Sequence, residues 1–65
     1  MPFIQMTLVE GRTPEKKEQL IEEVSKTVST VLDAPLETVR VCLNEVPSTH
    51  WGIAGKSIHR RQNEE

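Results

Sequence analysis

A proline directly follows the initiator methionine in Met1-Pro2-Phe3-Ile4, and this is the residue with the clearest chemical option. Removal of Met1 is expected before a second-position proline. The mature chain then begins with Pro2, whose nitrogen is a secondary amine and can take up a proton, as an amide nitrogen in practice cannot. At a strand start, in an apolar cavity near cations, its protonated form is disfavoured by desolvation and by like charge. Such an amine is free at neutral pH and suited to general acid–base work. The ordinary reading is that Pro2 merely starts a strand where no ladder hydrogen bond is lost. On the dipeptide alone the ordinary reading is the stronger one.

The flanking elements decide how such a nitrogen is placed. Phe3 to Val9 alternates, with Ile4, Met6 and Leu8 on one side and Phe3, Gln5, Thr7 and Val9 on the other; this is the period of a pleated strand. Glu10-Gly11-Arg12-Thr13-Pro14 breaks the pattern. Gly11 permits a turn, Thr13 is a good N-cap and Pro14 suits the first helical position, while Glu15 complements the helix dipole. The spacing predicts a helix from about Pro14 to Leu32. Leu20, Ile21, Val24, Val28, Val31 and Leu32 lie within an arc of about 120°, read as core packing, and Glu22–Lys26 forms a favourable i,i+4 pair. Asp33-Ala34-Pro35 ends the helix.

Thr38 to Val46 reads as a second strand, with Val39, Val41 and Leu43 on one face. Pro47-Ser48-Thr49 is a turn. His50-Trp51-Gly52-Ile53-Ala54-Gly55 is short, glycine-spaced and apolar, and reads as a small hairpin or arm packing on a neighbouring subunit. Lys56 to Arg61 follows as a short turn or strand, and the last six residues read as a frayed, solvated tail. The sum is one α+β domain over residues 1–65: a βαβ unit with two parallel strands, a right-handed crossover and a short C-terminal arm.

Composition narrows the rest. A chain of 65 residues buries only about 60% of its unfolded surface. With one cysteine, Cys42, and two histidines, neither an internal disulfide nor a zinc site is available as a staple. Phe3 and Trp51 are the only aromatic residues, so self-association is the remaining route to stability. Ten acidic against eight basic residues give a net charge of −2, which leaves no domain-wide footprint for nucleic acid. No stretch reaches the length of a membrane span, and no apolar leader segment is evident. A cytoplasmic location is expected from the unpaired cysteine and the lack of an export signal.

Topology then constrains the cations. Parallel strands start at the same end, so Pro2 and Arg40 share an end of the sheet, while Arg12 lies beyond the other. Phe3 to Val9 spans roughly 20 Å, too far for Arg12 to reach Pro2 of its own chain. If the two cooperate, they do so across a subunit interface. A two-stranded ribbon covered on one face is not stable alone, so at least two chains should join.

Pro2 after Met1, the run Leu8-Val9-Glu10-Gly11-Arg12-Thr13, Leu32-Asp33-Ala34-Pro35, Val39-Arg40-Val41 and His50-Trp51-Gly52-Ile53-Ala54-Gly55 together resemble the 4-oxalocrotonate tautomerase family. The similarity runs from Pro2 to about Arg61. It implies a homohexamer built as a trimer of dimers, with active sites made at interfaces and no metal or organic cofactor. The implied reaction is that of an isomerase interconverting enol and keto groups: 2-hydroxymuconate becomes 2-oxo-3-hexenedioate in aromatic ring-fission catabolism. By the same resemblance Pro2 carries the proton, Arg12 holds the remote carboxylate, and Arg40 binds the carboxylate and oxygen at the other end. Two planar guanidinium forks suit a dianion. Leu8 and Val9 line the channel. Trp51 stands where the best-known members carry phenylalanine, and its bulk keeps the pocket dry. Arg60 and Arg61 match less clearly, and Arg61 is kept as a substrate-rim contact.

Other residues carry plainer readings. A random arginine is usually a solvated cation, His50 a turn hydrogen-bonder, His59 a surface residue and Cys42 a packed interface residue without an activating neighbour. Related hydratases need a carboxylate in the arm, and Gly52-Ile53-Ala54 has none. A tautomerase of other 2-keto acids, such as phenylpyruvate, is the nearest alternative activity, with Arg12 favouring a diacid. A non-catalytic oligomeric interaction domain is the alternative if Met1 is retained, because an acylated proline nitrogen is no base. A nucleic-acid-binding dimer has only Lys56-Ser57-Ile58-His59-Arg60-Arg61 in its favour, against an acidic balance and few aromatics.

Overall fold

The computed structural model describes residues Pro2 to Asn63. Met1, whose removal the chemistry of Pro2 depends on, lies outside the described residues, as do the last two residues of the tail. Strand β1 runs Phe3–Val9 and strand β2 runs Arg40–Val46. They pair in parallel, from Phe3 opposite Arg40 to Val9 opposite Val46. Helix α1, Pro14–Leu32, is the crossover between them, completing the βαβ unit the sequence predicts.

Each boundary has a local cause. Thr13 caps α1 with its hydroxyl, which accepts from the Lys16 N–H at 3.2 Å, and Pro14 follows in the first turn. At the other end Asp33 takes a left-handed conformation (φ 55°), one that short polar side chains tolerate. Its N–H and that of Ala34 both return to the Ser29 carbonyl. Strand β2 begins two residues later than the pattern predicts, because Leu36–Thr38 closes into a 3-10 turn. The Lys17–Glu45 ion pair, 2.9 Å, ties the start of α1 to the far end of β2. The predicted Glu22–Lys26 pair forms at 3.2 Å.

The segment after β2 departs from expectation in part. Ser48–His50 is a 3-10 turn. Gly52–Ile53 (β3) and Lys56–Ser57 (β4) form the expected antiparallel hairpin. Positive φ at Ala54 (54°) and Gly55 (85°) is the geometry of the two-residue turn that suits hairpin twist. Beyond β4, residues 58–63 are neither the turn or strand nor the frayed tail predicted there. Helix α2 covers Ile58–Asn63, because the Ser57 hydroxyl accepts from the Arg60 N–H at 3.0 Å and supplies the cap the pattern concealed. The arm packs mainly on itself and on the Ser48–His50 turn.

No described residue is buried in the isolated protomer. The α1 stripe is only partly core. Leu20, Val24 and Val28 are half-covered, but Ile21 is 37%, Val31 73% and Leu32 60% exposed, so a single protomer covers only part of the stripe. On β1, Ile4, Met6 and Leu8 are half-covered, while Phe3, Gln5 and Thr7 face outward with Arg40, Cys42 and Asn44 of β2. The radius of gyration is 15.2 Å, against about 11 Å for a compact chain of this length. The surface of 5054 Å² exceeds the roughly 4,200 Å² of a folded monomer of this mass. A protomer with this little burial cannot meet the entropy cost of ordering its own backbone.

Two outcomes follow. Thermal unfolding should occur at higher temperature as protein concentration rises, since folding and association are one equilibrium; a midpoint constant over a hundredfold dilution would contradict this. Ala54→Asn places a residue tolerant of positive φ in the hairpin turn and should stabilise each chain by about 1 kcal/mol, read as a raised Tm at fixed concentration.

Candidate active site

Parallel pairing places Pro2 and Arg40 side by side. The Arg40 N–H donates to the Pro2 carbonyl at 3.1 Å, extending the ladder one step before β1. That bond anchors the Pro2 carbonyl beside Arg40 at this end of the sheet. Pro2 is half-buried in the protomer. The Arg40 side chain turns back, and its Nη1 donates to the Glu37 carbonyl at 2.6 Å.

Arg12 is held in a similar way at the opposite end of the sheet. The Glu10 N–H donates to the Val46 carbonyl at 2.8 Å, so the ladder continues one step past β1. Gly11 then adopts φ 132°, a conformation side-chain-bearing residues rarely take. No atom lies within 4 Å of where a Cβ would sit, so the backbone and not crowding requires glycine here. The turn returns Arg12 to its own strand, where Nη1 donates to the Val9 carbonyl at 2.9 Å.

Both guanidinium groups are thus oriented by the carbonyl three residues upstream. Among the described residues, neither is paired with a carboxylate. Each retains most of its N–H donors for a planar anion. Pro2 and Arg40 share one end while Arg12 occupies the other, seven strand residues away. One protomer therefore does not gather the three residues.

The remaining candidates divide between two regions. Leu8 and Val9 are half-buried at the Arg12 end, opposite Glu45 and Val46. Trp51 is half-buried and belongs to the arm, where its carbonyl accepts from the Ile58 N–H at 2.8 Å. Arg61 is exposed on α2. His59 lies 3.2 Å from the Asn63 amide along the same helix, and Cys42 is exposed on the open sheet face opposite Gln5. The carbonyls of Val9 and Glu37 as arginine acceptors could not be read from residue types. A Pro-x-x-Thr segment before a strand was the one available hint of the second.

Comparison with known proteins adds to this geometry. Residues 2–61 match the family model described as tautomerase enzyme. The chain is 52% identical over 56 residues to 2-hydroxymuconate tautomerase of Pseudomonas sp. (strain CF600), covering 86% of this chain and 89% of that protein. It is 53% identical over 57 residues to the enzyme of the same name from Stutzerimonas stutzeri, with 88% and 90% covered. Among solved structures, TomN, a 4-oxalocrotonate tautomerase homologue in the tomaymycin biosynthetic pathway, superimposes with a TM-score of 0.95 at 35% identity, covering 97% of each chain. A heterohexamer 4-oxalocrotonate tautomerase from Chloroflexus aurantiacus J-10-fl gives 0.89 at 37% identity, over 91% of this chain and 95% of that one.

Proposed function

The chain belongs to the tautomerase family and is an isomerase; from that membership we propose that it converts 2-hydroxymuconate to 2-oxo-3-hexenedioate with the Pro2 amine as acid and base. The observation that carries the reading is the pair of guanidinium groups at opposite ends of the sheet, one of them bonded through its backbone to Pro2.

The substrate is a conjugated dienol with a carboxylate at each end. Pro2 nitrogen takes the proton of the hydroxyl on carbon 2. The oxygen electrons form the carbonyl, the carbon 2–carbon 3 double bond moves between carbons 3 and 4, and the carbon 4–carbon 5 double bond opens as its π electrons take the proton from the protonated proline onto carbon 5. One O–H bond is lost and one C–H bond gained, with no net redox change. Nothing in that balance calls for a metal or an organic cofactor.

Arg40 holds the carboxylate and oxygen nearest the hydroxyl. Arg12 holds the remote carboxylate beside carbon 5 and draws electron density toward the carbon that must be protonated. The Arg12 contact favours charge where it develops in the transition state. Leu8, Val9 and Trp51 would shield the channel from water, and Arg61 would sit at its rim. Arg12 must then come from another copy of the chain. We place the site at an interface of a homohexamer, supported by the lack of any buried residue among those described and by the heterohexameric relative. One domain over residues 1–65, a cytoplasmic setting and a role in aromatic hydrocarbon catabolism complete the reading. Among the described residues, no helix is long and apolar enough to cross a membrane.

The test combines intact mass with an enol-to-ketone absorbance assay. The expected protein lacks Met1 and turns over 2-hydroxymuconate faster as pH rises through the amine titration. Pro2→Ala should lose about 10²–10⁴ in rate. Arg12→Ala and Arg40→Ala should each lose about 10–100-fold, as for hydrogen bonds to charged groups. Mixing Pro2→Ala and Arg12→Ala subunits should restore part of the activity, because some interfaces regain both residues. Retained Met1 in native protein would remove the base and sink the proposal. A processed protein inert toward this diacid but active on phenylpyruvate would move the assignment to monoacids.

A further inference from the structure

We propose that Thr38 is a positioning residue for Arg40, acting through the turn that precedes β2; this rests on the reading above, in which Arg40 binds a substrate carboxylate. Arg40 enters β2 from a turn only three residues long, Leu36–Thr38. Two groups of Thr38 converge on one acceptor. Its hydroxyl donates to the Pro35 carbonyl at 2.7 Å and its N–H donates to the same oxygen at 2.9 Å. The Val39 N–H then closes on the Leu36 carbonyl at 3.1 Å.

With the Pro35 and Leu36 carbonyls occupied, the Glu37 carbonyl is the one that meets the guanidinium of Arg40, at 2.6 Å. The backbone N–H of Arg40 meanwhile holds Pro2. One short turn therefore aims the cation, while the ladder step beside it anchors the Pro2 carbonyl. A carbonyl acceptor orients a guanidinium without cancelling its charge, as a carboxylate would. The side chain is parked in direction yet remains available to an anion. Removing the Thr38 hydroxyl leaves the turn on backbone bonds alone, so the Glu37 carbonyl loses its fixed direction and Arg40 samples more positions. Since the carboxylate is bound before and during reaction alike, the loss should fall on KM more than on kcat.

The experiment is steady-state kinetics on the assembled enzyme with 2-hydroxymuconate, in a double-mutant cycle. Thr38→Val keeps shape and removes the hydroxyl; it should raise KM about three- to tenfold, the usual range for one lost hydrogen bond. Thr38→Ser keeps the hydroxyl and should behave like the parent. In an Arg40→Ala background, Thr38→Val should add nothing. Thr38→Ala serves as a second truncation should the valine variant fail to assemble. If Arg40→Ala is impaired and the Thr38 truncations cost the same with or without Arg40, the positioning role is refuted while the role of Arg40 stands. A serine variant as impaired as valine would also refute it. If Arg40→Ala itself retains parental turnover, the assignment of Arg40 falls and the inference falls with it.

Discussion

Parallel pairing of β1 with β2 is the constraint on which the rest of the structure depends. In a parallel pair both strands begin at the same end, and a crossover helix must return the chain to that end. The register sets Phe3 opposite Arg40, and the ladder bond one step earlier joins Arg40 to Pro2. Arg12, which leaves the other end of β1, is sent away from Pro2 by the same geometry. An antiparallel hairpin of the same residues would reverse the relation, bringing the ends of β1 and β2 that carry Arg12 and Arg40 together. The separation of the cations is a consequence of strand direction, set before any side chain is considered.

The second constraint is scarcity of burial. One helix covers one face of two strands, and the helix itself is only half used. Leu20, Val24 and Val28 are half-covered, while Val31 and Leu32 remain largely exposed. Polar ties partly compensate. The Lys17–Glu45 pair joins helix to strand, but both side chains are more than a quarter exposed, and pairs of that kind contribute only about 0–1 kcal/mol. Fully covering a leucine or valine contributes about 1.5–3 kcal/mol. Association that covers the exposed side chains therefore outweighs surface ion pairs such as Lys17–Glu45 and Glu22–Lys26.

Much of this was legible in the residues. Alternation over Phe3–Val9, the Thr13-Pro14 start and the Ala34-Pro35 stop delimit β1 and α1, because these signals act within a few residues of the atoms they govern. The hairpin was legible from its glycines. What was hidden depends on contacts that have no period. The α2 helix rests on one Ser57 cap, in a stretch too short to show amphipathic spacing. The late start of β2 reflects a turn closed by Thr38, and Thr38 and Val39 satisfy a strand pattern equally well. The Lys17–Glu45 pair joins residues 28 apart, beyond any local rule. For the candidate site, residue types and their ends of the sheet could be read, but not the carbonyls that orient the arginines.

These two constraints converge. Topology withholds Arg12 from Pro2 within a chain, and the exposed apolar side chains withhold stability from a chain alone. In the proposed assembly both deficits would be met by the same event, the approach of another copy. In the proposed reaction this makes catalysis conditional on assembly: a dissociated chain would keep its base and Arg40 but lack the cation beside carbon 5. It would also lack the walls that exclude water, and a solvated Pro2 amine would hold its proton more firmly. Loss of the interface would thus weaken the remote-carboxylate contact and the base together. A site made of residues from one chain would not couple them.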